Sequence, residues 1–241
     1  IFHQAAISDT TVSEQDLIIK TNVNAYEDLL KIAIKHKANI IYASSAATYG
    51  NSDKFEVGCE KPNNAYGFSK VMMDNITAEY LKKDLEISIV GLKYFNVYGP
   101  REFFKNKTAS MVVQFGHQIL KGLTPKLFEG SDKILRDFIY IEDVIQANIK
   151  ASNPKKSGVY NVGTGCARSF EDIVNILQNE LEINNGKEYM PNPYVGSYQF
   201  FTEANIETTK KYLDYEPRFS MEDGIKAYIP EIKRLFQEEV K

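Results

Sequence analysis

Apolar residues in the first 100 positions follow two spacings in turn, and this alternation predicts strands and helices in succession. Short apolar runs at 39–45 and 87–95 are rich in β-branched and aromatic residues and predict two buried strands. Steps of three or four residues predict an amphipathic helix before the first run and another helix between the two runs. The first helix is marked by Ile19, Val23, Tyr26, Leu30 and Ala33, and the second by Met73, Ile76, Tyr80 and Leu81.

These repeated strand–helix–strand units determine the predicted fold class. They imply a parallel sheet with right-handed crossovers, covered by helices on both faces. The sequence therefore predicts an α/β protein with a doubly wound parallel sheet.

The second half of the chain has a less regular pattern. A helix is expected near 109–121, a strand and turn at 125–133, a strand leading into a helix at 136–144, and a strand at 158–163. We therefore expect the elements after residue 100 to be shorter and less evenly arranged than those before it.

Two capping boxes predict where the last long helices begin. Ser169 and Ser220 are each followed three residues later by an aspartate and then by apolar residues at helical spacing. Pro230 falls inside the second of these helices, where it should kink the helix or displace its start.

Composition excludes several classes of function. Hydrophobic residues make up 43% and charged residues 25%, which is ordinary for a soluble globular protein, and no apolar run approaches the ~20 residues that span a bilayer. The net charge of −3 and the lack of a basic stripe give nucleic-acid binding no support. Cys59 and Cys166 match no metal-binding spacing and suit free thiols in a reducing, cytoplasmic compartment. The three histidines are scattered, so no metal site is predicted.

Tyr66 and Lys70 are candidates for acid–base chemistry because residues four apart share one face of a helix. A free phenol has a pKa near 10, and a nearby cation favours its anionic form, so we expect Lys70 to lower the pKa of Tyr66. On spacing alone, two unrelated residues on a solvated helix are the more common explanation.

The stretch at 42–50 strengthens the acid–base interpretation. Ser44, Ser45 and Thr48 lie at the end of a predicted strand, and the carboxyl ends of parallel strands form the ligand crevice of such sheets. A hydroxyl there can orient the oxygen that Tyr66 deprotonates. The alternative is that these residues only cap and turn the loop.

Four motifs occur in a fixed order along the chain: SSAATYG at 44–50, YGFSK at 66–70, YFNVYGPR at 94–101 and RDFIYIEDV at 136–144. This series resembles the extended short-chain dehydrogenase/reductase family, which includes the nucleotide-sugar epimerases and dehydratases. The resemblance implies a Rossmann-like domain, a bound nicotinamide cofactor, and catalysis by removal and return of hydride. It also implies a partial nucleotide-binding domain at 1–100 and a smaller α/β substrate-binding lobe at 101–241, interleaved with elements that return to the first domain.

The glycine-rich turn with which this family binds the cofactor pyrophosphate is not found in the sequence. The stretch at 161–168 has Arg168 in place of the third glycine and suits a tight turn instead. Ile1–Ala6 is similar to the end of a buried strand, so we expect the first strands to lie upstream and this chain alone to bind cofactor poorly. NADP is the cofactor that the resemblance implies, with NAD possible.

The resemblance assigns catalytic roles to four residues. Tyr66 is an acid/base, Lys70 its partner at the cofactor ribose, and Ser45 the hydroxyl that orients the reacting oxygen. Lys105 is the second base, with Lys107 as its rival because the sequence after Lys105 departs from the family pattern. A lysine base requires a lowered pKa, which burial could supply.

The remaining site residues also follow from the resemblance. Cofactor contacts are implied for Gln4, Ala5, Ala6, Ile7, Ser8, Asn22, Tyr66, Lys70, Val97 and Lys105. Substrate contacts are implied for Ser45, Asn96, Lys107, Ser110, Gln114, Phe128, Glu129, Gly130, Ser131, Arg136 and Tyr198.

Gln114 replaces a frequent histidine, and Arg136 could bind a diphosphate or pair locally with Asp137 or Asp143. Dehydratases of the family usually carry an Asp-Glu or Asp-Gln pair where this chain has alanines, at 46 and 47, so epimerisation of a nucleotide sugar is favoured. A homo-oligomer, a pentamer, is expected by resemblance.

Overall fold

The computed structural model describes residues 1–9, 12, 14–192 and 200–239, without the side chains of residues 103, 106, 107 and 239. Within these residues the chain forms two compact units. The first comprises Ile1–Phe95, Val144–Gly163 and Ala204–Glu216, and the second Asn96–Asp143, Thr164–Glu203 and Pro217–Lys241. The units are assembled from alternating stretches of the chain, and the first stretch of the first unit ends at Phe95.

Strands and helices follow one another along the described residues. The strands are β1 Phe2–His3, β2 Ile40–Ser45, β3 Ile89–Tyr94, β4 Asn96–Tyr98, β5 Lys126–Phe128, β6 Leu135–Tyr140, β7 Gly158–Val162, β8 Ala167–Ser169 and β9 Glu188–Met190. The α-helices are α1 Gln15–Ile18, α2 Ala25–Lys35, α3 Ala65–Tyr80, α4 Met111–Leu120, α5 Ile141–Ala151, α6 Phe170–Leu181, α7 Glu207–Leu213 and α8 Met221–Glu239.

The sheet of the first unit is parallel throughout, in the order β1-β2-β3-β7. Ser45, the last residue of β2, lies opposite Tyr94, the last residue of β3. Helices α2 and α3 pack on this sheet through a buried cluster that includes Tyr26, Tyr42 and Met73. The predicted α/β class with a parallel sheet is confirmed.

A π-helical segment, Ile19–Asn24, joins α1 to α2. Its wider turn places Asn22 and Val23 on the buried side, while the periodicity of the sequence predicted one regular helix. Single π-helical turns inside helices are frequent at functional sites.

The second unit contains two small sheets and a helical core. Strand β6 pairs in parallel with β4 and antiparallel with β8, and β5 pairs with β9. Helices α4, α6 and α8 share an apolar core of which Phe115, Leu177 and Ile232 are completely or almost completely buried members.

The predicted capping box of α6 is complete, and α8 has the serine half of its predicted box. In α6, Ser169 Oγ accepts from the Asp172 amide at 3.0 Å, and Asp172 accepts in return from the Ser169 amide. Ser220 makes the equivalent bond to the Asp223 amide at 3.0 Å, so α8 begins where the sequence predicted. The start of α8 is not displaced by Pro230, which lies within the helix.

Candidate active site

The first turn of α3 places Tyr66 beside the turn that follows β2. Asn64 caps the helix by accepting from the Gly67 amide at 2.8 Å. A Cβ atom at Gly67 would lie 2.5 Å from the carbonyl oxygen of Ala47, so only glycine allows this close approach. Ser45 thereby comes within hydrogen-bonding reach of Tyr66.

Lys70 is almost completely buried, although it carries an ammonium group. Its Nζ donates to the carbonyl oxygen of Ala43 at 2.6 Å and lies 5.8 Å from the centre of the Tyr66 ring. Burial lowers the pKa of Lys70 to about 8, and the negative charge of Asp74 opposes this change.

The expected acidification of Tyr66 is not observed. Burial raises the pKa of the Tyr66 phenol above its usual value, and the hydrogen bond to Ser45 offsets only part of the rise. The prediction considered the attraction of the ammonium group and omitted the desolvation of the phenolate, which is the larger effect here.

Ser45 also fulfils the capping role that the sequence analysis gave as an alternative. Its Oγ accepts from the Ala47 amide at 3.1 Å, and its carbonyl oxygen accepts from Thr48 Oγ1 at 2.8 Å. Capping and contact with Tyr66 therefore coexist, because a hydroxyl group can accept one hydrogen bond and donate another.

Asn22 holds the loop for which cofactor contacts were predicted. Its Oδ1 accepts from the Ile7 amide at 2.9 Å, and its Nδ2 donates to the Ile7 carbonyl oxygen and to Ser69 Oγ, each at 3.0 Å. Asn22 therefore links this loop to α3 between Tyr66 and Lys70. Gln4 is held separately, by Tyr94 and Asn148.

The donor groups at this site fit the ribose of a nicotinamide cofactor. An ammonium group has three N–H donors, and the Ala43 carbonyl accepts from one of those of Lys70. Tyr66 is partly exposed next to it, and Ala5 and Ser8 are exposed on the loop that Asn22 holds.

In the second unit, Asn96 and Val97 lie on β4, opposite Phe138 and Ile139. Asn96 Nδ2 donates to the carbonyl oxygen of Asp137 at 3.2 Å. Both side chains are partly exposed, so they can contact a ligand.

The loop that carries Lys105 is anchored by a buried carboxylate. Glu102 accepts from the Gly99 amide, the Ser110 amide and Ser110 Oγ, at 3.2, 2.7 and 2.7 Å. Between these anchors, Lys105 lies on a 3₁₀ turn with an exposed side chain, which differs from the burial expected of a lysine base. Lys107 is also on this turn, and its side chain is outside the described residues.

An apolar cavity of about 200 Å³ lies beside β5 and α4. Phe128 and Ser131, both predicted to contact substrate, line it together with Phe115 and Phe170. Ser131 is buried, and among the described residues its hydroxyl has no hydrogen-bond partner. The adjacent Glu129 and Gly130 are exposed.

Three further residues, Arg136, Gln114 and Tyr198, were predicted to contact substrate. Arg136 is buried and donates to the carbonyl oxygen of Leu135 at 2.9 Å. Gln114 donates to the carbonyl oxygen of Ala109 at 2.6 Å. Tyr198 is outside the described residues.

Sequence reasoning did not identify Asp74 or Lys93, which lie behind Lys70 in the first unit. Asp74 follows Lys70 by four residues on α3, and its Oδ2 lies 2.6 Å from Nζ of the fully buried Lys93. The spacing of Tyr66, Lys70 and Asp74 along one helix face was a signal available in the sequence.

Within the described ranges, no group of three or more histidine, cysteine or acidic side chains could hold a metal ion. A search of the same residues for a helix of sufficient length and apolarity to cross a membrane found none.

Comparisons with known proteins identify relatives of this chain. A curated ADP-L-glycero-D-manno-heptose-6-epimerase from Brachyspira hyodysenteriae is 38% identical over 235 residues, which cover 95% of this chain and 74% of that protein. The crystal structure of the Helicobacter pylori ADP-L-glycero-D-manno-heptose-6-epimerase is similar at 49% identity and a TM-score of 0.86, covering 96% of this chain and 72% of that one.

A more distant likeness extends to a different sugar specificity. The crystal structure of the Thermotoga maritima UDP-glucose 4-epimerase with UDP-glucose has 27% identity and a TM-score of 0.84, covering all of this chain and 77% of that one. The model of the NAD dependent epimerase/dehydratase family matches residues 1–163, and the resemblance seen in the motifs is thereby confirmed. The chain belongs to the NAD dependent epimerase/dehydratase family.

Proposed function

We propose that this chain interconverts ADP-D-glycero- and ADP-L-glycero-D-manno-heptose at C6 with bound NADP, for the synthesis of lipopolysaccharide core precursors in the cytoplasm. Two relatives with this enzyme name, at 38% and 49% identity, support the substrate. The observation that carries the reaction type is the contact of Tyr66 with Ser45 beside the buried ammonium group of Lys70. The sequence stretches that resemble this enzyme are 41–50, 66–70, 93–102, 125–131, 136–144, 160–165 and 196–206.

Tyr66 accepts the proton of the sugar hydroxyl of one epimer at its phenolic oxygen, and in the reverse reaction it donates that proton. Ser45 orients that oxygen, and Lys70 contributes positive charge and ribose contacts. A nicotinamide cofactor, when bound, supplies a hydride acceptor and donor and, in its oxidised form, a further positive charge. Because burial raises the pKa of Tyr66, the positive charge around the phenol has to stabilise its anionic form.

Epimerisation requires a proton acceptor for each face of the reacting carbon. Tyr66 serves one face, and Lys105 is our candidate for the other, by its resemblance to the family lysine. Lys107 is the alternative because it lies two residues further along the same 3₁₀ turn.

The apolar cavity of the second unit supports binding of a nucleotide base. Its volume of about 200 Å³ and its aromatic lining suit a planar ring. We assign the adenosine end of the substrate to Phe128–Ser131 and the diphosphate to Arg136 and Tyr198, because a guanidinium group can bind two phosphate oxygens.

The test is turnover of ADP-D-glycero-D-manno-heptose by the full protein with NADP, followed by NMR of the C6 epimers. Formation of the L-glycero epimer supports the proposal, and failure to form it with either NADP or NAD contradicts it. A separate measurement, sedimentation velocity, tests the proposed homo-oligomer, for which a pentamer is expected.

A UDP-sugar 4-epimerase is the second candidate, favoured by the similarity to the Thermotoga maritima enzyme. Mass spectrometry of ligands that copurify with the protein distinguishes ADP-heptose from UDP-sugars. A third possibility is an inactive, cofactor-binding regulator on the same fold. The presence of Tyr66, Lys70 and Ser45 argues against it, and turnover of any nucleotide sugar excludes it.

A further inference from the structure

A buried charge cluster of Asp74, Lys93 and Glu60 lies behind the candidate active site of the first unit. Lys93 Nζ is 2.6 Å from Asp74 Oδ2 and 2.9 Å from Glu60 Oε1. The Lys93 side chain has no exposed surface, and Asp74 is also buried. Burying charges carries a large desolvation penalty, so a chain that retains them without a structural or functional gain is unusual.

Asp74 is fixed by three donors from the sheet. Its Oδ2 accepts from Lys93 Nζ and from Ser44 Oγ, the latter at 2.9 Å, and its Oδ1 accepts from the Tyr42 hydroxyl at 2.8 Å. The carboxylate therefore has a fixed place on the face of α3 that also carries Lys70 and Tyr66.

The cluster is connected to the active site by a charge interaction along α3 and by a chain of hydrogen bonds across the sheet. Along α3, the negative charge of Asp74 raises the pKa of Lys70 against the effect of burial. Across the sheet, Lys93 Nζ donates to Thr48 Oγ1 at 2.9 Å, and Thr48 in turn donates to the carbonyl oxygen of Ser45 at 2.8 Å.

The charged and titratable groups around Lys70 lie on two elements, β1 and α3. His3 on β1 has a pKa lowered by burial and by the charge of Lys70, while Tyr66 and Asp74 lie on α3. Around Asp74 stand Lys93 of β3, Tyr42 of β2 and Tyr26 of α2. Asp74 is the carboxylate whose negative charge raises the pKa of Lys70.

We propose that Asp74 and Lys93 are positioning residues for the active site: Asp74 keeps Lys70 cationic, and Lys93 holds Asp74 and the turn that carries Ser45. The relevance to catalysis rests on the proposed function of Tyr66 and Lys70. The effects of Asp74 and Lys93 on Lys70 and on the Ser45 turn can be measured without turnover.

The first test titrates Lys70 by NMR of its ¹⁵Nζ resonance, assigned from its loss in Lys70→Arg. Asp74→Asn keeps the shape and one acceptor oxygen but removes the charge, so the titration midpoint of Lys70 should fall by on the order of one pH unit. Asp74→Glu, which retains the charge, should restore it. In Asp74→Asn the basic limb of the pH–kcat profile should also move to lower pH, because a smaller fraction of Lys70 is then charged at a given pH.

The second test compares Asp74→Asn with the double variant Asp74→Asn/Lys93→Met. Only the double variant loses the contact of Lys93 with Thr48, so exchange of the Ala47 amide, which is bonded to Ser45, should be faster in it. The double variant removes the charges of both Asp74 and Lys93 and leaves only that of the partly exposed Glu60 in the cluster, so it also serves for the Lys70 titration if Asp74→Asn does not fold.

An unchanged Lys70 midpoint in Asp74→Asn would overturn the role of Asp74. Equal Ala47 exchange in the single and double variants would overturn that of Lys93. Both readouts are independent of the substrate, so a protein that fails to turn over ADP-heptose can still confirm or refute the positioning roles.

Discussion

The Tyr66–Lys70 site of the first unit and the Lys105 loop of the second unit hold their candidate catalytic groups differently. In the first, side-chain atoms are fixed: Lys70 bonds to Ala43, and Tyr66 contacts Ser45. In the second, Lys105 is held through its backbone, which bonds to Glu102 and Thr108, and its side chain is exposed.

The two regions therefore differ in the evidence that they give for a catalytic residue. At the first site, burial and hydrogen bonds shift the pKa values of Tyr66 and Lys70 and fix the positions of their side chains. In the loop, Glu102 anchors both ends of the turn, and this fixes the position of Lys105 along the chain but not the environment of its ammonium group. The case for Lys105 therefore rests on resemblance, and variants can show whether the two regions contribute equally.

The largest effect is expected at Tyr66. Tyr66→Phe removes the proton acceptor and should reduce kcat on the order of 10³-fold, within the range of general acid–base catalysis. Tyr80→Phe, at the last residue of the same helix, is the matched control and should retain full activity. Cofactor affinity, measured by fluorescence titration, should stay within a few-fold in both variants. Substantial turnover by Tyr66→Phe would remove the basis of the proposed mechanism.

A smaller loss is expected from the loop. Lys105→Met should reduce epimerisation by on the order of 10²-fold, because one face of the reacting carbon loses its proton acceptor, while the cofactor stays bound. Lys107→Met is the control on the same turn and should retain activity. If Lys107→Met loses activity and Lys105→Met retains it, Lys107 is the second base. If both variants are fully active, the second acceptor lies outside this loop.

Much of the fold could be predicted from periodicity because strands and amphipathic helices each impose a regular apolar spacing. The caps at Ser169 and Ser220 could also be predicted, since each depends on two residues that are three positions apart. The π-helical segment was not predicted, because one widened turn barely changes the positions of apolar residues. Short strands such as β4 and β8 were missed because three residues show no usable pattern.

The candidate site was predicted less completely than the fold. Motifs identified Tyr66, Lys70 and Ser45, since these lie in continuous stretches. The pairing of Asp74 with Lys93 depends on β3 lying under α3, and this is not visible in either stretch alone. The direction of the Tyr66 pKa shift was wrong for a related reason, because desolvation depends on surroundings contributed by several elements.

The pH dependence of turnover tests whether the charge of Lys70 is required. Lys70 has a pKa of about 8 and is charged below that pH, so kcat should fall about tenfold per pH unit above it. The folded-state pKa lies below the ordinary value of 10.5, so the unfolded chain binds more protons between these limits. The free energy of unfolding should therefore rise with pH in this window. Denaturant titrations at pH 8 and pH 10 test the second expectation, with Lys70→Met lacking that contribution. A kcat that stays constant up to pH 10 would mean that the charge of Lys70 is not required.

The smallest effect, and the one that distinguishes binding from folding, is expected at Ser131. Its buried hydroxyl has no hydrogen-bond partner within the described part of the chain, so Ser131→Ala should leave the free energy of unfolding unchanged or raise it by up to ~1 kcal/mol. If the cavity holds the nucleotide base, the hydroxyl is available to bond it, and its loss should raise KM up to about tenfold with kcat unchanged.

Thr202→Val is the matched control for Ser131→Ala. Thr202 Oγ1 is also buried without a partner among the described residues, but Thr202 is not among those that line the cavity. The control should resemble Ser131→Ala in stability and the unmodified protein in KM. A KM that changes equally in both variants would show that Ser131 acts through packing. An unchanged KM in Ser131→Ala would show that its hydroxyl does not bond the base.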